Sequence, residues 1–207
     1  MSVSLVASNL SKSFNRRMIF RGISFALDRG ETLLVAGRNG AGKSTLAKII
    51  AGVLTPNAGT IELQGDSHGG LLQRCAVFGF VSPYLQLYDE FTAVENLRYC
   101  LAIRGMEARE DAIRGMLQFV GLGGRGDDPL RSYSSGMKQR AKYAFALVHH
   151  PPVLILDEPM ANLDAEGTAL VRAVMTNQRR EGILIVATND VSDLDRVDRK
   201  VDLNDTR

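Results

Sequence analysis

Apolar positions along this chain switch between two periods. Strand-length runs recur at Ser4 to Ala7, Ile23 to Leu27, Glu31 to Ala36, Thr60 to Gln64, Ala76 to Val81, Val153 to Leu156 and Gly182 to Ala187. Helical spacing appears after Ser44, with Leu46, Ile49 and Ile50 on one side. From Thr92 to Val120 two helical stripes follow one another, Val94, Leu97 and Leu101 on the first and Ile113, Met116, Leu117 and Val120 on the second. Gly105 separates them, and Gly121 to Asp128 ends the pair in a loop. Ser134 and Ser135 are good cap residues for a helix reaching about Val148. Ala165 to Arg180 predicts another helix with Leu170, Val171, Val174 and Met175 inward. Strands alternating with helices predict an α/β sheet, with an antiparallel portion at the N-terminus and a helical subdomain roughly over residues 92–148. The charge alternation from Asp190 to Arg207 predicts a solvated face with a short terminal strand.

The junction of one strand and one helix carries the strongest chemistry. Gly37-Arg-Asn-Gly-Ala-Gly-Lys-Ser-Thr45 matches the phosphate-loop pattern G-x-x-x-x-G-K-[ST]. A strand entering a glycine loop that opens a helix aims backbone N–H groups and the positive helix end at one point. Gly37, Gly40 and Gly42 let the backbone approach an anion without a Cβ in the way. Lys43 can reach the outer phosphates, and the Ser44 hydroxyl can ligate Mg²⁺. Arg38, Asn39, Ala41 and Thr45 complete the cradle. Asp157 and Glu158 follow the apolar run Val153 to Leu156, the end of a strand where α/β sheets place ligands. Alone they read as a surface pair; beside a phosphate loop they read as a site. Phe14, before the basic turn Asn15-Arg-Arg17, is in isolation a core aromatic, although its ring can also stack on a base.

Composition changes this picture little. The 207 residues are 45% hydrophobic and 23% charged, ordinary for a globular chain. No apolar stretch reaches about eighteen residues, so no transmembrane helix is expected. The N-terminus lacks a basic start and predicts no signal peptide. Cys75 and Cys100 have no metal spacing and read as buried free thiols, which fits a cytosolic chain. His68, beside two glycines, reads as exposed. A net charge of +2, with no basic cluster among aromatics, gives no support for a nucleic-acid partner.

Taken together, these pieces resemble the nucleotide-binding subunit of an ABC transporter, from Phe14 to Asn189. The family signature, commonly LSGGQ, reads here as Tyr133-Ser-Ser-Gly-Met137, and Ala161-Asn-Leu-Asp164 matches the family's D-loop. The resemblance implies ATP and Mg²⁺ as cofactors, Phe14 stacked on adenine, Ser44 and Asp157 at the metal, and Glu158 on the attacking water. It also implies that Ser134, Ser135 and Gly136 face ATP held by a partner subunit, so that ATP joins two copies, or this chain and a homologous ATPase, head to tail. Integral membrane subunits would be the other partners, with the chain peripheral on the inner face of the cell membrane. Two positions depart from the family. The usual glutamine near Val81-Ser-Pro-Tyr84 is replaced by Pro83, with Gln86 nearby as a stand-in, and the usual histidine after the last strand is Asn189. The resemblance implies that Asn189 takes that histidine's catalytic place, where asparagine can donate a hydrogen bond to a γ-phosphate but cannot carry a proton or charge. The short chain is similar in style to haem-exporter ATPases of cytochrome c maturation. A soluble ATP switch, or a catalytically weak partner in a heterodimeric transporter, are the alternative readings.

Overall fold

The computed structural model describes residues 3–64, 76–161, 163–190, 194 and 196–204; His68, Cys75 and Asn162 fall outside them. In chain order the elements begin with β1 (Ser4–Phe14), β2 (Arg17–Asp28), β3 (Thr32–Ala36), α1 (Lys43–Ile50), β4 (Ala58–Gln64) and β5 (Phe78–Val81). Helices α2 (Ala93–Ala102), α3 (Glu110–Phe119) and α4 (Ser135–Leu147) come next. The chain then returns to β6 (Val153–Asp157), α5 (Ala165–Glu181), β7 (Ile183–Ala187) and β8 (Arg199–Asp202).

Two sheets share the work. The antiparallel one has the order β2-β1-β4 and the parallel one the order β5-β6-β7-β3-β8. Strands β1 and β2 are much longer than the short apolar runs at Ser4 and Ile23 suggest. Register shifts between Ala7 and Leu10 and again near Lys12 move side chains to the other face, which breaks the period-two pattern. Their two-residue turn has positive φ at Asn15 (48°) and Arg16 (67°), the mirror-image geometry that matches strand twist.

Every residue of β3, β6 and β7 is buried, as a parallel sheet covered on both faces requires. Leu33, Val35, Val153, Ile155, Ile183 and Ile185 pack with the antiparallel sheet and α1. Their neighbours Leu154, Leu156, Leu184 and Val186 pack with α2, α3, α4 and α5. The helices inserted between β5 and β6 thus close one face of the sheet. A capping box of Thr92 and Glu95 starts α2. Buried Asn96 then bonds the Tyr88 and Thr92 carbonyls and the Tyr88 N–H, fixing the approach to that helix.

The terminal stretch is less solvated than its charges suggest. Strand β8 pairs parallel with β3, Asp198 Oδ2 accepts from the Thr32 N–H at 2.9 Å, and Leu203 is fully buried. Its charged side chains lie along the outer edge while its backbone completes the sheet. The run from Ala76 is strand only from Phe78, because 76 and 77 still belong to a helical turn. Cys100 is buried, as expected, and burial pushes its thiol up to about 11.

Helix α4 meets β5 at very short range. His149, just past the helix, contacts the Phe78 carbonyl through Nε2 at 3.2 Å, and burial holds its pKa down to about 4, so the ring is neutral. A Cβ on Gly79 would stand 2.5 Å from the Ala146 carbonyl oxygen and 2.7 Å from Pro151 Cγ. Only a residue without a side chain permits this approach. Gly79→Ala should therefore destabilise the fold by about 1–3 kcal/mol, the usual cost of overpacking. The denaturant midpoint measures this; an unchanged midpoint would show that α4 shifts freely against the sheet.

Candidate active site

Three buried strands end side by side, and the candidate site residues stand at or just beyond those ends. Parallel β7 lies between β3 and β6. The phosphate loop follows β3, Asp157 ends β6 with Glu158 next to it, and Thr188 and Asn189 follow β7. This is the carboxyl edge of the sheet, where helix dipoles and loop N–H groups converge.

The phosphate loop is shaped by its backbone. Gly42 precedes α1 with φ 110°, and no side chain caps that helix start. A Cβ there would lie 2.4 Å from Ile19 Cγ2 on β2, so glycine is required both by φ and by the close hairpin. Arg38, Asn39 and Gly40 are exposed, while Gly37 and Ala41 are buried. The Ala41 N–H bonds the Arg38 carbonyl at 3.0 Å, and the Arg38 N–H donates to Asn204 Oδ1 at 3.2 Å, bracing the loop from beyond β8.

Lys43 is only 6% exposed and folds back over the loop. Its Nζ donates to the Gly37 carbonyl at 2.8 Å and pairs with Glu158 Oε1 at 3.1 Å. The phosphate loop and the β6 carboxylate are thereby joined by one ion pair. Glu158 adopts the left-handed region with φ 49°, uncommon for a residue with a side chain. Such a conformation costs on the order of 1–3 kcal/mol and persists where surrounding contacts hold it. Here the Glu158 N–H bonds the Ala187 carbonyl at 2.8 Å, and Thr188 Oγ1 donates to Glu158 Oε2 at 3.4 Å.

Asp157 is 2% exposed, and among the described residues neither carboxylate oxygen meets hydrogen-bond geometry with a partner. Burial pushes its carboxyl above the usual range; the Ser44 hydroxyl and the Lys43 charge pull the other way, and Glu158 adds to the rise. A buried carboxylate with unused oxygens and a hydroxyl facing it suits a hard cation that also keeps phosphate oxygens and water as ligands.

A cavity of about 500 Å³ opens beside this pair. Its walls include Asp157 and Glu158 on one side and Ser135, Gly136, Arg140 and Lys142 of α4 on the other. Ser134 caps α4, accepting from the Met137 N–H at 3.2 Å, and Ser134, Ser135 and Gly136 are exposed. No phosphate-loop residue lines this cavity. Within one chain, the α4 start is therefore gathered with Asp157 and Glu158 but not with Gly37 to Thr45. Asp164 of the segment at Ala161 caps α5, accepting from the Gly167 N–H at 2.7 Å.

Other expected residues lie further out. Phe14 is 44% exposed at the end of β1, which overturns its isolated reading as a core aromatic. Lys12 Nζ sits 5.0 Å from its ring centroid, held by the Thr55 carbonyl. Asn189 is exposed and makes no hydrogen bond with Glu158. Gln86 lines the adjoining groove rather than the cavity beside Glu158, while Pro83 lines both. Sequence reasoning missed Thr188, Lys142 and Asn204. Lys142 lies on α4 two turns after Ser135, and its Nζ donates to the Pro83 carbonyl at 3.2 Å; the seven-residue spacing was the available signal.

Comparison with known proteins agrees with this geometry. A family model described as ABC transporter matches residues 20–161. The chain is 38% identical over 186 residues to a cytochrome c biogenesis ATP-binding export protein of Mesorhizobium japonicum, covering 88% of this chain and 90% of that one. It is 34% identical over 195 residues to an uncharacterized ABC transporter ATP-binding protein of Bacillus subtilis, covering 93% of this chain but only 65% of that relative's length. A solved structure of an ATP-binding subunit of an ABC transporter superposes with a TM-score of 0.80 at 28% identity, covering 91% of this chain and 80% of that one. The family match spans most of the chain and includes both the phosphate loop and the Asp157-Glu158 edge. The chain belongs to the ABC transporter family of ATP-binding proteins.

Proposed function

We propose that this chain binds ATP with Mg²⁺, hydrolyses it, and uses the cycle to drive a membrane-embedded transporter partner. The observation that carries the reading is the convergence of Lys43, Asp157 and Glu158 at the carboxyl edge of the sheet, beside an uncapped helix start. The loop N–H groups and Lys43 would cradle the phosphates. Ser44 and Asp157 would hold Mg²⁺, which when bound neutralises phosphate charge. Phosphate oxygens would compete for Lys43 and release Glu158 from its ion pair. Glu158 would then accept a proton from water as the water oxygen bonds to the γ-phosphorus and the bond to the leaving ADP oxygen breaks.

The exposed start of α4 supports a two-copy cycle. Ser134, Ser135 and Gly136 form an anion-binding face whose own chain offers it no phosphate loop. A second copy, or a homologous ATPase, presented head to tail would bring its ATP there. Closure would shed water from the site and strengthen its electrostatics. No helix among the described residues is long and apolar enough to cross a membrane, so the transported molecule's path belongs to a partner in this reading.

Lys43→Ala should abolish ATP binding with the fold intact, read by equilibrium nucleotide titration of the folded variant; unchanged affinity would refute the assignment. Phe14→Ala should weaken ATP by about 1–3 kcal/mol if the exposed ring stacks on adenine. Unaltered ATP affinity there would leave Phe14 outside the site. Glu158→Gln keeps the shape and removes the base, so ATP with Mg²⁺ should trap a dimer visible by gel filtration. A monomer with normal turnover would remove Glu158 from the chemistry.

A further inference from the structure

Glu158 presents its two carboxylate oxygens to two partners of different kinds. Oε1 meets the Lys43 ammonium at 3.1 Å, and Oε2 meets the Thr188 hydroxyl at 3.4 Å. Phosphate oxygens compete for the first partner, because they attract the same cation. A neutral hydroxyl lacks the charge that draws Lys43 toward phosphate, so the second contact is the less disturbed of the two when ATP arrives.

Thr188 is well fixed for such a task. It is 2% exposed, and its backbone N–H donates to the Val35 carbonyl on β3 at 3.2 Å. Its hydroxyl oxygen accepts from the Asp190 N–H at 3.1 Å, which leaves the hydroxyl proton for Glu158. The preceding residue, Ala187, accepts the Glu158 N–H at 2.8 Å. The end of β7 therefore holds Glu158 by its backbone and by its side chain, and does so from a strand anchored on both sides. Asn189, one residue on, is exposed and does not bond Glu158.

We propose that Thr188 is a positioning residue for ATP hydrolysis: once phosphate draws Lys43 away, its hydroxyl keeps the Glu158 carboxylate aimed at the attacking water. This rests on Glu158 acting as the base. A neutral donor suits the role because it fixes the carboxylate's direction without depending on the cation that phosphate attracts. Lys43 holds the carboxylate before the nucleotide arrives, and Thr188 holds it afterwards.

The test uses the full chain and separates turnover from binding. Thr188→Val keeps shape and volume and removes the hydroxyl; Thr188→Ser restores it. At saturating ATP and Mg²⁺, Thr188→Val should lower kcat about tenfold, the order expected for one hydrogen bond to a charged group. ATP affinity should stay within about twofold, since the binding groups lie in the phosphate loop. Thr188→Ser should recover most of the rate. The Glu158→Gln/Thr188→Val double variant should still bind ATP and form the same trapped dimer as Glu158→Gln, showing that closure is intact. Wild-type turnover in Thr188→Val, no rescue by serine, or loss of the trapped dimer would each overturn the proposal. If Glu158→Gln itself turns over like wild type, the reading of Glu158 falls and this proposal with it. If Glu158→Gln stops turnover while Thr188→Val does not, only the role of Thr188 is lost.

Discussion

A parallel strand buried on both faces has nowhere to put a polar side chain except at its ends. That constraint governs this molecule. Strands β3, β6 and β7 are buried at every position, so their chemistry is displaced to the residues just after Ala36, Leu156 and Ala187. Because β7 runs between the other two, three such ends become neighbours. Lys43, Asp157, Glu158 and Thr188 meet through this geometry, although they are far apart in sequence. The helices on one face and the antiparallel sheet on the other supply the cover that makes the burial possible.

In the proposed cycle the ion pair between Lys43 and Glu158 would serve as a switch. A cation and a carboxylate in a partly dry setting satisfy one another, and each is then unavailable for other work. A phosphate that attracts the cation frees the carboxylate in the same event. The unusual φ of Glu158 and the backbone bond to Ala187 keep the carboxylate in reach after its partner changes.

What the sequence disclosed depended on how local each signal is. The phosphate loop is contiguous, so Gly37 to Thr45 could be read residue by residue, as could the helix stripes at Val94, Leu97 and Leu101. The family resemblance drew on the same contiguous runs. Strands β1 and β2 were under-read because register shifts interrupt their alternation. The short terminal strand is legible at β8 among the charges of a solvated face, but its pairing with β3 rests on backbone bonds that no side chain reports. Phe14 looked like core because an aromatic residue carries no label for exposure. Thr188 and Asn204 carry no local signal for a related reason, and Lys142 carries only its seven-residue spacing from Ser135. Each acts on a group distant in the chain, respectively Glu158, Arg38 and Pro83, and no local period marks such a meeting.

The strand order has a consequence for how the molecule is made. Strand β3, which carries the phosphate loop, pairs with β7 and β8, whose residues 183–187 and 199–202 leave the ribosome long after it. The hairpin of β1 and β2 and its pairing with β4 draw only on the early chain and can form at once. Long-range parallel pairing is intrinsically slow, because the loop must close before its contacts reward it. During synthesis the phosphate loop therefore emerges well before the strands that brace it. A growing chain presents this motif early, yet can brace it only after β7 and β8 have followed.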